Sequence, residues 1–287
     1  MSTSFAVETH RLRDHVNRLE AEHPPLDPAS VDYTVRRPAL VLERFGRVLD
    51  YMARAELEVE RNAQELNILL PHPPEIDRYF YAEVWQPQEA MHGVILDELQ
   101  VRLGSRPAQA NLDTVSVKVK VLGAIAHLEP VQDVIRMLYY LTGMTTERSA
   151  LLAYHRLHDG LVEMGERAAA DTIITPIRRQ EPGHYAYYRM SADALWQQLT
   201  SWQRWLVQRL RSVSFAPVAA NSPSQLADVG DMMVQLGIND SNEAVEFAEQ
   251  TSRVERDLLW AQEKGMRVPP YIAKSFSDAL VLSQQRS

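Results

Sequence analysis

The 287-residue chain has no cysteine. Disulfides, thiolate metal sites, iron–sulfur clusters and cysteine nucleophiles are therefore excluded. Glycine is scarce, at 11 residues; average usage of about 7% would give roughly 20. No GxGxxG or GxxxxGK[ST] occurs, so a glycine-rich phosphate loop is not expected. No apolar run approaches the roughly 20 residues of a membrane span. Met1 to Leu19 has no apolar stretch of the secretory kind. Basic residues are outnumbered, 30 Lys and Arg against 38 Asp and Glu, for a net charge of −8. That balance argues against a general nucleic-acid binder. A cytoplasmic protein with neither a membrane span nor a nucleic-acid partner is the expectation. What is present is 45% apolar and 24% charged residues, a globular composition long enough for one large domain or at most two.

Apolar residues recur at helical spacing almost throughout. Leu42, Phe45, Val48, Leu49, Met52, Leu57, Ala63, Leu66 and Leu70 mark a first long helix from Pro38, stopped by Pro71, Pro73 and Pro74. Further helices are predicted from Glu75 to Leu103, Leu112 to Leu128, Pro130 to Asp159 and Glu166 past Tyr188, with a turn at Gly160 and Gly165. Trp196, Leu199, Trp202, Leu206 and Leu210 mark another. Only Val115 to Val121 alternates like a strand, and its neighbours favour a helix. Shorter helices follow the Ser212–Ser224 linker. The fold class is all-α with a helical-bundle core. Its parts are an irregular or partly helical arm over 1–36, the bundle over 37–211 and a helical extension over 212–287.

Three histidines follow a glutamate at the third position: Glu20/His23, Glu89/His92 and Glu181/His184. The first runs into Pro24-Pro25 and reads as a solvated pair. The other two lie on long helices, where residues three apart share a face and can hold one metal ion. Each has an upstream carboxylate at hairpin distance: Glu60 lies 29 residues before Glu89, and Glu147 lies 34 before Glu181. Glu60-x-x-Ala63 mirrors Glu147-x-x-Ala150, so E-x-x-A then E-x-x-H occurs twice. Glu56 and Glu58 are alternatives to Glu60. Four carboxylates and two imidazoles in this order describe a di-metal carboxylate site in a four-helix bundle. Hard oxygen ligands with one imidazole per metal suit iron or manganese.

At these residues the sequence resembles the ferritin-like di-iron proteins, and among them the soluble acyl-ACP (acyl carrier protein) desaturases. Trp85-Gln-Pro-Gln-Glu89-Ala-Met-His92-Gly93 is similar to their Trp-x-x-x-Glu-x-x-His-Gly signature. Thr146-Glu147-Arg148 and Gln180-Glu181-Pro-Gly-His184 fall where that family has its third Glu and second E-x-x-H. The likeness covers roughly residues 38 to 211. It implies a ferritin-like four-helix bundle, two iron ions, an acyl chain in an apolar channel, an acyl carrier and a ferredoxin as partners, and a homodimer. The expected metal ligands are Glu60, Glu89, His92, Glu147, Glu181 and His184, with Glu89 and Glu181 bridging. Three features depart from the pattern. Gln88 and Gln180 stand where the family has an acid, and Ala150 where it has a threonine. Pro182-Gly183 lies inside the second motif and is expected to kink the helix.

The function expected is an O2-dependent di-iron oxidoreductase that desaturates a carrier-bound acyl chain. Hydroxylation or N-oxygenation at the same centre is the nearest alternative. A non-catalytic ferritin-like metal-binding protein and a silent homologue acting as a binding partner are the others. Trp85 and Tyr185, Tyr187 and Tyr188 are candidates for redox roles or for packing. Tyr139, Tyr140 and Met144 are candidates for the channel wall or the core. Arg36, Arg37, Arg178 and Arg179 are candidates for carrier docking.

Overall fold

The computed structural model describes residues 3–70, 73–112, 117–126, 128–217, 220 and 222–286. These form eleven helices, and no strand occurs among the described residues. Val115 and Ser116 lie outside them; Val117 onward is helical.

The helices are α1 (Thr3–Glu22), α2 (Pro38–Leu57), α3 (Val59–Leu69), α4 (75–102), α5 (Val117–Ala126), α6 (Glu129–Glu163), α7 (167–198), α8 (Ser201–Ser214), α9 (Pro223–Gln235), α10 (Ser241–Leu259) and α11 (Pro270–Gln284). Two of them contain a π-helical stretch, Phe80–Trp85 in α4 and Ala170–Ile174 in α7. α7 runs through Pro182 without interruption, and its non-α turn lies upstream at 170–174.

The predicted first long helix is two helices. The chain breaks at Glu58 (φ −76°, ψ 1°). The Glu58 carboxylate takes the Arg61 guanidinium at 2.5 Å and the backbone N–H of Asn111 at 3.0 Å. Gly160 does not turn the chain. It sits inside α6, where a Cβ would meet the Phe45 ring at 2.3 Å, so the glycine serves the approach of α2. The turn comes at Gly165 (φ +78°), closed by Glu166 N–H onto the Leu161 carbonyl at 2.9 Å. Trp196 belongs to α7, and a Thr200/Gln203 capping box opens α8.

The main pairings are α2 with α4, α6 with α7 and, in the C-terminal part, α9 with α11. Two apolar clusters fill them. One takes Met52 and Ala53, Ile95 and Leu96, Ala153 and Tyr154, and Ile177. The other takes Val59, Val84 and Trp85, Met144, and Tyr187 and Tyr188. The first cluster uses α2, the early part of α7 and the late part of α4 and α6, and the second uses α3 with the other ends of α4, α6 and α7. So α2 and α7 run one way, and α4 and α6 run back. Along α4, α6 and α7, and between Ala53 of α2 and Val59 of α3, a short polar interval separates the clusters. Glu56, Glu89, Glu147 and Glu181 fall in those four intervals.

The remaining helices clad this framework. α1 packs on α7 and on the π-helical stretch of α4, burying Val16 and Leu19. The irregular arm is thus helical over 3–22. α9 lies on α2, held by Arg54–Asp228 at 3.2 Å and by Gln235 Oε1, which accepts from Arg47 N at 2.8 Å. α8 and α10 are tied to α6 by a buried clamp. Arg211 donates to both Glu255 oxygens at 3.0 and 2.9 Å and to the Leu141 carbonyl at 3.1 Å. Every charge in the clamp is hydrogen-bonded, as burial requires. Among the described residues, no helix is long and apolar enough to cross a membrane.

Candidate metal centre

The polar layer between the two clusters holds four carboxylates and two imidazoles. Glu56, Glu89, His92 and Glu181 bring ligand atoms within 4.8 Å of one another, and so do Glu89, Glu147, Glu181 and His184. Glu89 and Glu181 are common to both groups. Five of the six residues expected from sequence therefore converge. Glu60 does not: it is exposed on the first turn of α3. The break at Glu58 ends the face that Glu60 would share with α2, and Glu56, one turn earlier, points inward instead. Glu58 itself is occupied by Arg61 and Asn111 N–H.

Several of the inward-facing atoms have no partner in the protein. Glu89 Oε1, both oxygens of Glu181, His92 Nδ1 and His184 Nδ1 are buried without a hydrogen-bond partner. Orphaned polar atoms of this kind are rare in folded proteins and call for an explanation. Their mutual distances are those of a ligand cage: His184 Nδ1 to Glu89 Oε1 is 2.8 Å, and His92 Nδ1 is 3.4 Å from both Glu89 and Glu181. Four carboxylates carry four negative charges, which two divalent cations would balance. The buried clusters are compatible with a di-metal site of the oxygen-and-imidazole type.

The electrostatics express the same crowding. Burial, then the Glu89 carboxylate, pushes Glu56 well above the ordinary carboxylate range. Burial and the charges of Glu89 and Glu147 do the same to Glu181. Burial opposes ionisation of Glu89, but the adjoining Glu56 carboxyl and the two imidazoles hold it well below the ordinary carboxylate range. Burial would lower the histidines; the surrounding carboxylates overcome it and raise His92 to about 9 and His184 to about 10. Without cations the cage shares protons among its ligands.

Four of the six ligands are supported from behind. Tyr154 donates to Glu56 Oε1 at 2.6 Å, and Trp85 Nε1 donates to Glu147 Oε1 at 3.2 Å. His184 Nε2 meets Gln88 Oε1 at 2.7 Å, and His92 Nε2 meets Gln180 Oε1 at 2.6 Å. Such contacts fix imidazole orientation. Sequence reasoning noted Gln88 and Gln180 but missed Tyr154; a tyrosine one helical stripe beyond Ala150 carries no local signal.

An apolar cavity of about 90 Å³ opens against this layer. Glu56, Glu89 and Glu147 floor it, Ala150 and Ala153 line its side, and Met232, Phe247 and Phe276 come from the C-terminal helices. The extension over 212–287 thus supplies part of the cavity wall. Tyr139, Tyr140 and Met144 do not line it; they pack in the second apolar cluster. Tyr140 and Tyr187 there donate to the buried Asp77 at 2.5 and 2.6 Å. Arg37 is drawn to buried Glu166, which also accepts from the backbone N–H groups of Arg36 and Arg37 at 2.8 and 3.1 Å. His155 and His158 bond locally, to the Leu151 carbonyl and to Asp159. No family model matches the chain, and comparison with curated proteins and with solved structures finds no significant similarity.

Proposed function

We propose that the chain is an O2-dependent di-iron oxidoreductase with a ferritin-like four-helix core, α2, α4, α6 and α7. The substrate would be a carrier-bound acyl chain, as for the soluble acyl-ACP desaturases it resembles. The observation that carries the reading is the apolar cavity floored by Glu56, Glu89 and Glu147. A closed bundle that only stores or binds metal has no need of an apolar chamber against its ligands. Iron held there would provide redox and Lewis-acid chemistry, with O2 as the oxidant and a ferredoxin-type donor as the source of electrons. Glu56, Glu89, His92 and Glu181 would hold one ion and Glu89, Glu147, Glu181 and His184 the other, with Nδ1 of each histidine facing the carboxylates. The apolar walls hold the chain and keep bulk water from the centre. A ferredoxin-type donor, an acyl carrier and a second copy of the chain are the partners this reading implies, in the cytoplasm.

Hydroxylation or N-oxygenation is the second reading, and Ala150 favours keeping it. The residue lines the cavity without a hydroxyl, so no threonine stands there to move a proton. The test is anaerobic reconstitution with Fe(II), elemental analysis, and exposure to O2 with reductant and acyl carriers. About two irons per chain and an unsaturated product support the reading. A hydroxylated product selects the second. Less than one iron per chain, with no O2-dependent change in absorbance, overturns both.

A further inference from the structure

Gln88 and Gln180 each precede the glutamate of an E-x-x-H pair, and both are buried. They cross over: Gln88 serves the histidine of α7, and Gln180 serves the histidine of α4. The far ends of both amides meet the main chain just after α1. Gln88 Nε2 donates to the His23 carbonyl at 2.6 Å. Gln180 Nε2 donates to the Pro24 carbonyl at 2.8 Å and to the His23 carbonyl at 3.3 Å.

The proton positions follow from donor and acceptor chemistry. A carbonyl only accepts, so each amide must turn its NH2 toward the arm. Its oxygen then faces the imidazole and also only accepts. Nε2 of His92 and His184 must therefore carry hydrogen. The chain of constraint runs from two backbone carbonyls, through two amides, to the hydrogen on both rings, with Nδ1 turned toward the carboxylate cage.

The arm is built to hold those carbonyls in place. The last helical bond of α1 is His23 N–H to Leu19 at 2.9 Å. Pro24 and Pro25 stop the helix and leave the carbonyls of His23 and Pro24 outside it. α1 is anchored by His15 Nε2 on the Gly183 carbonyl at 2.9 Å. Leu19 rests on Gly183, where a Cβ would lie 2.2 Å from Leu19 Cδ2. Tyr79 adds a bond to Glu20 at 2.5 Å.

We infer that the His23–Pro24 carbonyls, acting through the positioning residues Gln88 and Gln180, orient both histidines, so that seating of α1 and metal binding at the centre are coupled. The inference rests on the metal reading of the centre. It also accounts for glutamine at these two positions. A carboxylate there would set an oxygen against the arm's carbonyl oxygens with no hydrogen between them.

The test uses the full chain as wild type, as Gln88→Met/Gln180→Met and as Gln88→Glu/Gln180→Glu. Anaerobic titration with Co(II) reads affinity, and hydrogen exchange reads the segment around residues 10–27 with and without the metal. Metal should slow exchange in the wild-type arm, although the arm contributes no ligand, because coupling is reciprocal. The Met pair should bind Co(II) about 10–100-fold more weakly and exchange faster in the arm. The Glu pair should fail in the same way. Should the Met pair not fold, Leu19→Ala loosens α1 without altering the amides or ligands, and a several-fold loss of affinity is expected. Wild-type affinity in the Glu pair, or in Leu19→Ala with a loosened arm, overturns the coupling while the centre stands. Failure of the wild type to bind Co(II) overturns the metal reading itself.

Discussion

Tyr154 on α6 donates its hydroxyl to Glu56 Oε1 on α2 at 2.6 Å. That bond aims the Glu56 carboxylate into the polar layer just before the chain breaks at Glu58. Glu60 lies beyond the break and is exposed. Glu56→Gln is expected to lower metal content from about two ions to about one per chain, because Glu56 belongs to only one of the two ligand groups. Glu60→Gln should leave metal content unchanged. Elemental analysis of the two variants distinguishes them. Equal loss in both would return Glu60 to the ligand set.

The metal-free protein should weaken as pH rises. His92 and His184 are raised from the ordinary 6.5 to about 9 and about 10. A raised pKa contributes stability that is complete below the unfolded value and disappears as pH climbs through the folded one. Chelator-treated protein should therefore melt at progressively lower temperature between about pH 7 and 10. Metal binding requires those protons to leave, so loading at neutral pH should acidify an unbuffered solution. A melting temperature that is flat over this range, or metal uptake without proton release, would contradict the shared-proton cage.

The cavity gives a steric prediction. Ala150 lines it beside Glu147. Ala150→Leu would fill the space of about three methylenes, each worth about 0.8 kcal/mol of apolar transfer. Binding of a fluorescent long-chain fatty acid should weaken at least about tenfold on that basis, with metal content unchanged. Undiminished probe binding would place the ligand elsewhere.

Two glycines should respond with opposite signs to the same substitution. A Cβ on Gly93 would lie 2.8 Å from the Leu57 backbone nitrogen, which cannot swing aside. Gly93→Ala should cost about 1–3 kcal/mol by overpacking. On Gly46 the nearest atom is Leu42 Cδ2 at 3.7 Å, an ordinary contact. Gly46→Ala should stabilise by up to about 1 kcal/mol through helix propensity. Denaturant melts measure both, and a destabilised Gly46→Ala would show that the space around α2 is tighter than its neighbours indicate.

Spacing made much of this legible. Two E-x-x-H pairs at helical separation and two upstream carboxylates at hairpin distance sufficed to bring Glu89, His92, Glu147, Glu181 and His184 to one layer. Periodicity cannot register an interruption of one residue, and so it ran α2 into α3. The ion pair and the Asn111 N–H that hold Glu58 are tertiary contacts, invisible along the chain. Gly160 was expected to turn the chain because glycine favours turns; the approach of Phe45 required the missing Cβ inside a helix instead. The cavity was beyond reach for the same reason. Its far wall, Met232 and Phe276, lies more than 70 residues from the nearest ligand that floors it.

The π-helical stretches Phe80–Trp85 and Ala170–Ile174 sit upstream of Glu89 and Glu181, on the two helices that carry a ligand pair. A π turn accommodates a residue more than an α turn does, and one residue corresponds to about 100° of rotation about the helix axis. Each stretch thus sets the phase between the two ends of its helix, so that Phe80 and Glu89 can both face inward. Their length matters more than their composition. Deleting one residue from 80–85 would leave a regular helix and every ligand in the sequence. Because the π turn has absorbed that residue, Glu89 and His92 would keep their place in the layer they share with Glu181, whereas a deletion in the regular turn between 86 and 88 would swing them about a quarter turn out of it.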